Sequence, residues 1–302
     1  MMIMENDSLK IFFKKKKAEC EQLIRYRIWD GIDSNNLRSW LKNFNTQEEQ
    51  NFAALVLEWL VYRSNEHCKS MLYDVLTRLL HNQWRLEKSP VYDMRKHPLV
   101  LLQEKYTDPN IRYVTAVTKT DPDSKSGYSM VRDLNHKFHA STRWNIRNEQ
   151  IPECYNAGIR TFIYVDDIIG SGEQIINVLN ESPIANYEDI KVYVCVCAAH
   201  EHGINNIMEQ YPNVKILAAE YIPLDTDIFS NIYSILGYES KDALREWYKD
   251  FMKAKGFNRG VNIYGRGDLG LVYAFQDNTP NNSLPILHFH NENLSMLLNK
   301  RG

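Results

Sequence analysis

Residues Phe162 to Gln174 read FIYVDDIIGSGEQ, and their order suits one kind of chemistry. An apolar run ends in Asp166 and Asp167, two apolar residues follow, and then come Gly170, Ser171 and Gly172. Glu173 and Gln174 open a segment in which Ile175, Ile176 and Leu179 share one helical face, so the order is strand, tight loop, helix. Glycines let backbone N–H groups approach an anion without Cβ obstruction. The start of a helix presents unpaired N–H donors and the positive end of its dipole, which suits a phosphate. Carboxylates are good acceptors for sugar hydroxyls. Such a segment can hold a 5-phosphorylated ribose at both ends. It also fits a plainer reading, a solvent-exposed acidic strand end before an ordinary helix start.

Two other chemistries share part of the string and fail on the rest. Tyr-Val-Asp-Asp is a polymerase metal motif, but there the acids sit in a β-hairpin, and here a loop and a helix follow them. An apolar run ending in acids also resembles the second motif of a P-loop ATPase. That machinery needs an upstream G-x-x-x-x-G-K-[ST], which the chain lacks.

Further polar residues fall after other apolar runs. In the loop Lys119–Gly127, Lys125, Ser126 and Gly127 can supply ammonium, hydroxyl and N–H donors to an anion, and an ordinary crossover loop explains them as well. Asn281 and Asn282 can read the edge of a base, or merely build the turn that Pro280 stiffens. His200 is either a general base or a loop histidine. Cys195 and Cys197 point to one face of a strand and read as core residues. His136 and His139 have no further ligands nearby in sequence, so no protein metal site is assigned.

The elements that must carry these residues differ between the two ends of the chain. In the first hundred residues Cys68, Met71, Leu72, Val75, Leu76, Leu79 and Leu80 form one helical stripe. Thr46 and Glu49 predict a capping box before an apolar segment running from Phe52 to Val61, and Asp33 or Ser34 can cap a shorter helix with Leu37, Trp40 and Leu41. Beyond a connector between Ser89 and Pro98 come β-rich runs at Ile111–Thr118, Thr161–Ile169, Ile190–Ala198, Val214–Ile222 and Leu269–Gln276. Nearly continuous apolar strands alternating with helices predict an α/β fold, a parallel sheet with helices on both faces preceded by an all-α region. The division expected is residues 1–88, a helical partner-binding region, and residues 99–302, the α/β domain. Ligands on such sheets sit at the carboxyl ends of the strands.

Bulk properties agree with a globular chain. Its 302 residues are 44% hydrophobic and 25% charged with a net charge of −2, which gives no global basic field for nucleic acid or an anionic membrane. Lys14–Lys17 is followed by Glu19 and Glu21 and reads as a solvated helix face. No apolar run approaches the roughly 18 residues that span a bilayer. Acids at the N-terminus where a signal peptide carries positive charge, and five cysteines without metal-finger spacing, predict a reducing cytoplasm.

The central segment resembles the type I phosphoribosyltransferase motif. More closely, the chain resembles the phosphoribosyltransferase-like family of bacterial conflict systems over most of its length. The resemblance rests on Trp29-Asp-Gly-Ile32 through Phe44, on Ser126-Gly127, on Asp166-Asp167-Ile-Ile-Gly170-Ser-Gly172, and on Thr279-Pro-Asn-Asn-Ser-Leu-Pro285. The chain has Gly170 and Gln174 where family motifs usually carry hydroxyl residues, and His288 where Trp is frequent. The resemblance implies that Asp166 and Asp167 face the ribose hydroxyls, that Gly170, Ser171 and Gly172 form the phosphate loop, and that Lys125–Gly127 lie at the pyrophosphate. It implies a phosphoribosyl pyrophosphate or nucleotide-like ligand, Mg²⁺ carried on its diphosphate, and glycosyl transfer or N-glycosidic cleavage in anti-phage defence. A protein or ribonucleoprotein partner, such as a retron reverse transcriptase with its RNA/DNA, and no membrane partner, also follow from it.

Overall fold

A computed structural model describes residues 6–89, 92, 94–97, 100, 110–121, 126–257 and 262–298. Helices α1 (Asn6–Arg25), α2 (Ser34–Leu41) and α3 (Gln47–Trp59) lead into a short strand, β1 (Val61–Arg63). A long helical stretch starts as α4 (Asn65–Asp74), widens through a π turn at Val75–Leu79 and continues as α5 (Leu80–Leu86). Alternation then sets in: β2 (Ile111–Thr115), α6 (Ser126–Phe138), β3 (Asn145–Ile146), α7 (Ile151–Asn156), β4 (Thr161–Ile169), α8 (Glu173–Asn180), β5 (Lys191–His200), α9 (Glu201–Gln210) and β6 (Lys215–Ile222). Then come α10 (Ile228–Ile232), α11 (Lys241–Ala254) and β7 (Tyr273–Phe275), with a short 3₁₀ turn at Pro285–Leu287 after them.

Residues 66–223 form one compact unit around a five-stranded, wholly parallel sheet in the order β3-β2-β4-β5-β6. The chain leaves β2 towards β3 and leaves β4 in the opposite direction towards β5. The carboxyl ends of β2 and β4 therefore flank the topological switch point, where open parallel sheets leave a crevice for ligands. One face of the sheet is closed by a core joining Val114, Phe162, Tyr164, Val194 and Val196 to Ile175, Val178 and Leu179 of α8. The helix over Asn65–Leu86 bears the stripe expected of it, with Leu72, Val75, Leu76 and Leu80 buried. Its π turn lets Leu80 N–H reach the carbonyl of Val75.

The other unit joins the two ends of the chain, residues 1–65 with 224–301. The packing thus differs from the linear pair 1–88 and 99–302. Trp29, Trp40 and Phe52 lie in one core with Tyr248, Phe251, Ile286 and Leu287. Trp40 Nε1 donates to the carbonyl of Ile286 at 2.7 Å, and Asn43 and Ser295 exchange two hydrogen bonds at 2.7 and 2.9 Å. The helices of the first hundred residues carry aromatics that need this distant segment to become buried. The caps are as expected: Thr46 and Glu49 close a capping box, and Asp33, not Ser34, caps α2 by accepting from Asn35 N and Asn36 N, both at 2.7 Å.

The run Leu269–Gln276 is a correction. Only Tyr273–Phe275 is strand, and it pairs in parallel with β1, outside the five-stranded sheet. Left-handed Gly267, Asp268 and Gly270 keep the start of this run turning, and β1 supplies a ladder partner too short to show any periodicity. Asn281 and Asn282 accordingly do not follow a strand of the main sheet. No described helix is long and apolar enough to cross a membrane.

Candidate functional site at the end of the central strand

β4 pairs on both sides, with β2 through Ile111–Thr115 and with β5 through its whole length. This central placement fixes the backbone on which the acid pair sits. Successive strand residues point to opposite faces, so Asp166 and Asp167 straddle the sheet. Asp166 is 1% exposed and its Oδ2 accepts from Gln174 Nε2 of α8 at 2.8 Å, while its Oδ1 accepts from Asp167 N at 2.9 Å. A buried carboxylate needs such donors, because an ion removed from water without them is strongly disfavoured. Asp167 is half-buried, and its Oδ1 accepts from Ile168 N at 2.8 Å.

The loop that follows is tightly built. Gly172 has φ +84° and stands as the cap residue of α8 with no side-chain cap of its own. The first bond inside the helix runs from Ile176 N to Gly172 O, so the N–H groups of Glu173, Gln174 and Ile175 precede the helical ladder. A Cβ on Gly172 would come within 2.7 Å of the carbonyl of Gly203. Gly203, in the first turn of α9, has no room either: a Cβ there would run into Gly170 O and sit 2.9 Å from Gly172 N. Gly170, Ser171 and Gly172 are all buried. Asn206 Nδ2, one turn on, donates to Ser171 O at 3.0 Å and lies 3.0 Å from His202 Nε2. The Ser171 hydroxyl has no hydrogen-bond partner among the described residues.

His200 closes the same corner. It is 2% exposed, and its Nδ1 accepts from His202 N at 3.2 Å, capping α9. Burial first, and then the neighbouring His202, lowers its pKa to about 4 against the opposing pull of Glu201. It is a neutral, buried cap rather than an exposed loop histidine, and such a depressed pKa leaves it a weak base near neutrality.

Asp166, Asp167, the glycine loop, Glu173 and Gln174 are thus gathered in one place, with Glu173 exposed on the first turn of α8. Ser126 and Gly127 open α6 beyond β2, on the other flank of the switch point, and a Cβ on Gly127 would lie 3.0 Å from Ala116 O. Lys125 lies outside the described residues. Asn281 and Asn282 belong to the other unit, where Asn281 O accepts from Arg266 N at 2.8 Å and Asn282 Nδ2 donates to Arg266 O at 2.8 Å. The turn-building reading therefore accounts for much of this pair, although the Asn281 side chain is exposed.

Sequence reasoning passed over Gly203 and Asn206. The available signal was a glycine directly after a strand end, at a helix start, where close backbone approach is the usual reason for it. Gln174, expected to open the helix beside the phosphate loop, does so with its side chain donating to Asp166.

The PRTase-CE family model matches residues 37–299, most of the chain, and the chain belongs to this phosphoribosyltransferase-like family. No curated protein matches the chain.

Proposed function

We propose that the protein binds a 5-phosphoribosyl compound, phosphoribosyl pyrophosphate or a nucleotide, at the end of β4, and catalyses glycosyl transfer or N-glycosidic cleavage at C1. The observation that supports this best is the passage from Asp166–Asp167 through left-handed Gly172 into an α8 start without a side-chain cap, beside the switch point of the sheet. The loop and the start of α8 would take the 5-phosphate, with the Ser171 hydroxyl as an added donor. Asp167, the more accessible acid, would accept from the ribose diol, and Asp166, held by Gln174, would add negative charge beneath it. Breaking the C1 bond builds positive charge on the sugar, and fixed carboxylates stabilise that charge without reorganising.

No group of three His, Cys, Asp or Glu side chains among the described residues could hold a metal ion. Mg²⁺ commonly rides on substrate phosphates with one or two protein carboxylates, so a metal carried by the ligand diphosphate would draw on Asp167, the more accessible acid of the pair. When bound there it would offset charge on the departing diphosphate.

A second reading, a non-catalytic nucleotide sensor, draws on two observations: the loop is buried, and Gln174 is spent on Asp166 instead of on an anion. Incubating the purified protein with phosphoribosyl pyrophosphate, NAD and nucleotides, with and without Mg²⁺, separates the two. Release of pyrophosphate or free base supports the enzyme; a ligand-dependent rise in melting temperature without product supports the sensor; neither result overturns both. A cytoplasmic role in anti-phage defence, with a protein or ribonucleoprotein partner such as a retron reverse transcriptase with its RNA/DNA, extends this reading from the family resemblance. Co-purification from the native host checks it.

A further inference from the structure

The face of the sheet turned away from α8 carries thiols beside the acid pair. Asp166 pairs with Val196 and Ile168 with Ala198, so Cys197 lies alongside Asp167 on the neighbouring strand, both pointing to one face. Cys197 is fully buried, and its Sγ donates to the carbonyl of Cys68, in the first turn of α4, at 3.6 Å. The nearby Cys68 side chain first, then burial, then Asp167 and Asp166, hold the Cys197 thiol well above its ordinary pKa. Cys68 is partly exposed, and both cysteines are free. A buried inner thiol therefore contacts the backbone of a partly exposed outer cysteine, on the sheet face of the candidate ribose acid.

We propose that Cys68 and Cys197 are a modification site, a thiol pair that hydrogen peroxide converts to a reversible disulfide, and that this bond switches off the ligand site at Asp167. Peroxide meets Cys68 first: its S–H becomes S–OH while the O–O bond breaks and one water leaves. The Cys197 sulfur then attacks the Cys68 sulfur, the S–S bond forms, the S–O bond breaks, and hydroxide departs as water with the Cys197 proton. Two thiol hydrogens and one peroxide become one disulfide and two waters. A disulfide demands close Cβ atoms and a fixed torsion, so it draws the first turn of α4 against β5 at the level of Asp167. The switching half of this proposal rests on the ligand site proposed above; the bond itself does not.

The test uses the full chain, reduced and then exposed to dilute peroxide, with intact-mass measurement and non-reducing peptide mapping. The expected result is loss of two hydrogens, a Cys68–Cys197 linked peptide, and reversal by dithiothreitol. The melting response to phosphoribosyl pyrophosphate should weaken by roughly tenfold in apparent affinity and return on reduction. Cys68→Ala should lose no hydrogens and keep its ligand response after peroxide; Cys197→Ser, checked by its melting curve, serves as the second variant. No linked peptide, or a link from Cys68 to Cys195, overturns the proposal. A correct link that leaves the ligand response untouched overturns the switch. A reduced protein with no ligand response overturns the sugar-phosphate reading alone, and the mass measurement still decides the thiol pair.

Discussion

Asp166 and Asp167 are adjacent in sequence but meet different surroundings, and that difference can be measured. Asp166→Asn keeps an acceptor for Gln174 and removes a buried charge, so the apo protein should melt at the same temperature or higher. Asp167→Asn keeps an oxygen for Ile168 N and removes the charge of the more accessible acid. Each charge-assisted bond to a ligand is worth about 1.5–3 kcal/mol, so the double variant should lose activity, or ligand affinity, by roughly 10²- to 10⁴-fold. Kinetics and calorimetry on the ligand-responsive protein check this; unfolding of the double variant would make the pair structural. Gly203→Ala is the sharper probe of the loop. The new methyl meets Gly170 O, so the first turn of α9 must shift, and we expect a loss of about 1–3 kcal/mol in chemical denaturation together with weaker phosphate binding. Gly172→Val should act on both stability and binding, because the loop is buried and its φ is +84°.

His200 supplies a pH dependence whose sign follows from its depressed folded pKa. The folded protein keeps it neutral down to about pH 4, while the unfolded chain takes up a proton near pH 6.5. Its contribution is thus fully present above pH 6.5 and drains away as the pH falls towards 4, by up to about 3 kcal/mol. His200→Asn retains a cap acceptor for α9 and removes the titration. Its unfolding free energy should change less between pH 7 and pH 5 than that of the parent; equal changes would place the titration elsewhere.

At the scale of elements, legibility followed how local the cause was. β4 is Thr161–Ile169 as its apolar run predicts, because a central strand buried on both faces needs nothing but apolar residues. The Thr46–Glu49 box was equally plain, since both partners lie within four residues. Thr46→Ala should cost about 1 kcal/mol, seen as a lower melting temperature for the unit that holds α3. β7 misled for the opposite reason. Tyr273, Ala274 and Phe275 have strand propensity, but their partner is Val61–Arg63, more than two hundred positions earlier, and no local pattern names a ladder partner. The site divided in the same way. The acids and the glycine loop are one contiguous string, whereas Gly203 and Asn206 reach that loop from across the sheet order, through β5.

The chain forms two cores, and one is inserted in the sequence of the other: residues 66–223 are continuous, and the unit of 1–65 with 224–301 is not. A fragment of residues 66–223 should fold cooperatively and keep a melting response to a sugar phosphate; a fragment without a cooperative transition would show that the sheet depends on the rest of the chain. Removing residues 1–88 is a poor test of partner binding, because it strips Trp29, Trp40 and Phe52 from a core shared with Tyr248 and Leu287, besides the helices over Asn65–Leu86.

That threading has a consequence during synthesis. A ribosome releases Trp29, Leu37, Trp40 and Phe52 well before Tyr248, Phe251, Ile286 and Leu287, which bury them and lie roughly two hundred positions further along the chain. At about 5–20 residues per second the first segment waits roughly 10 to 50 s with its apolar side chains uncovered. The middle of the chain can complete its own sheet in that interval. Nascent chains stalled after residue 223 should therefore show a protease-resistant centre and a cleavable first segment, and the full chain should protect both. Until residues 224–298 arrive, the growing protein exposes the kind of apolar surface that a chaperone binds.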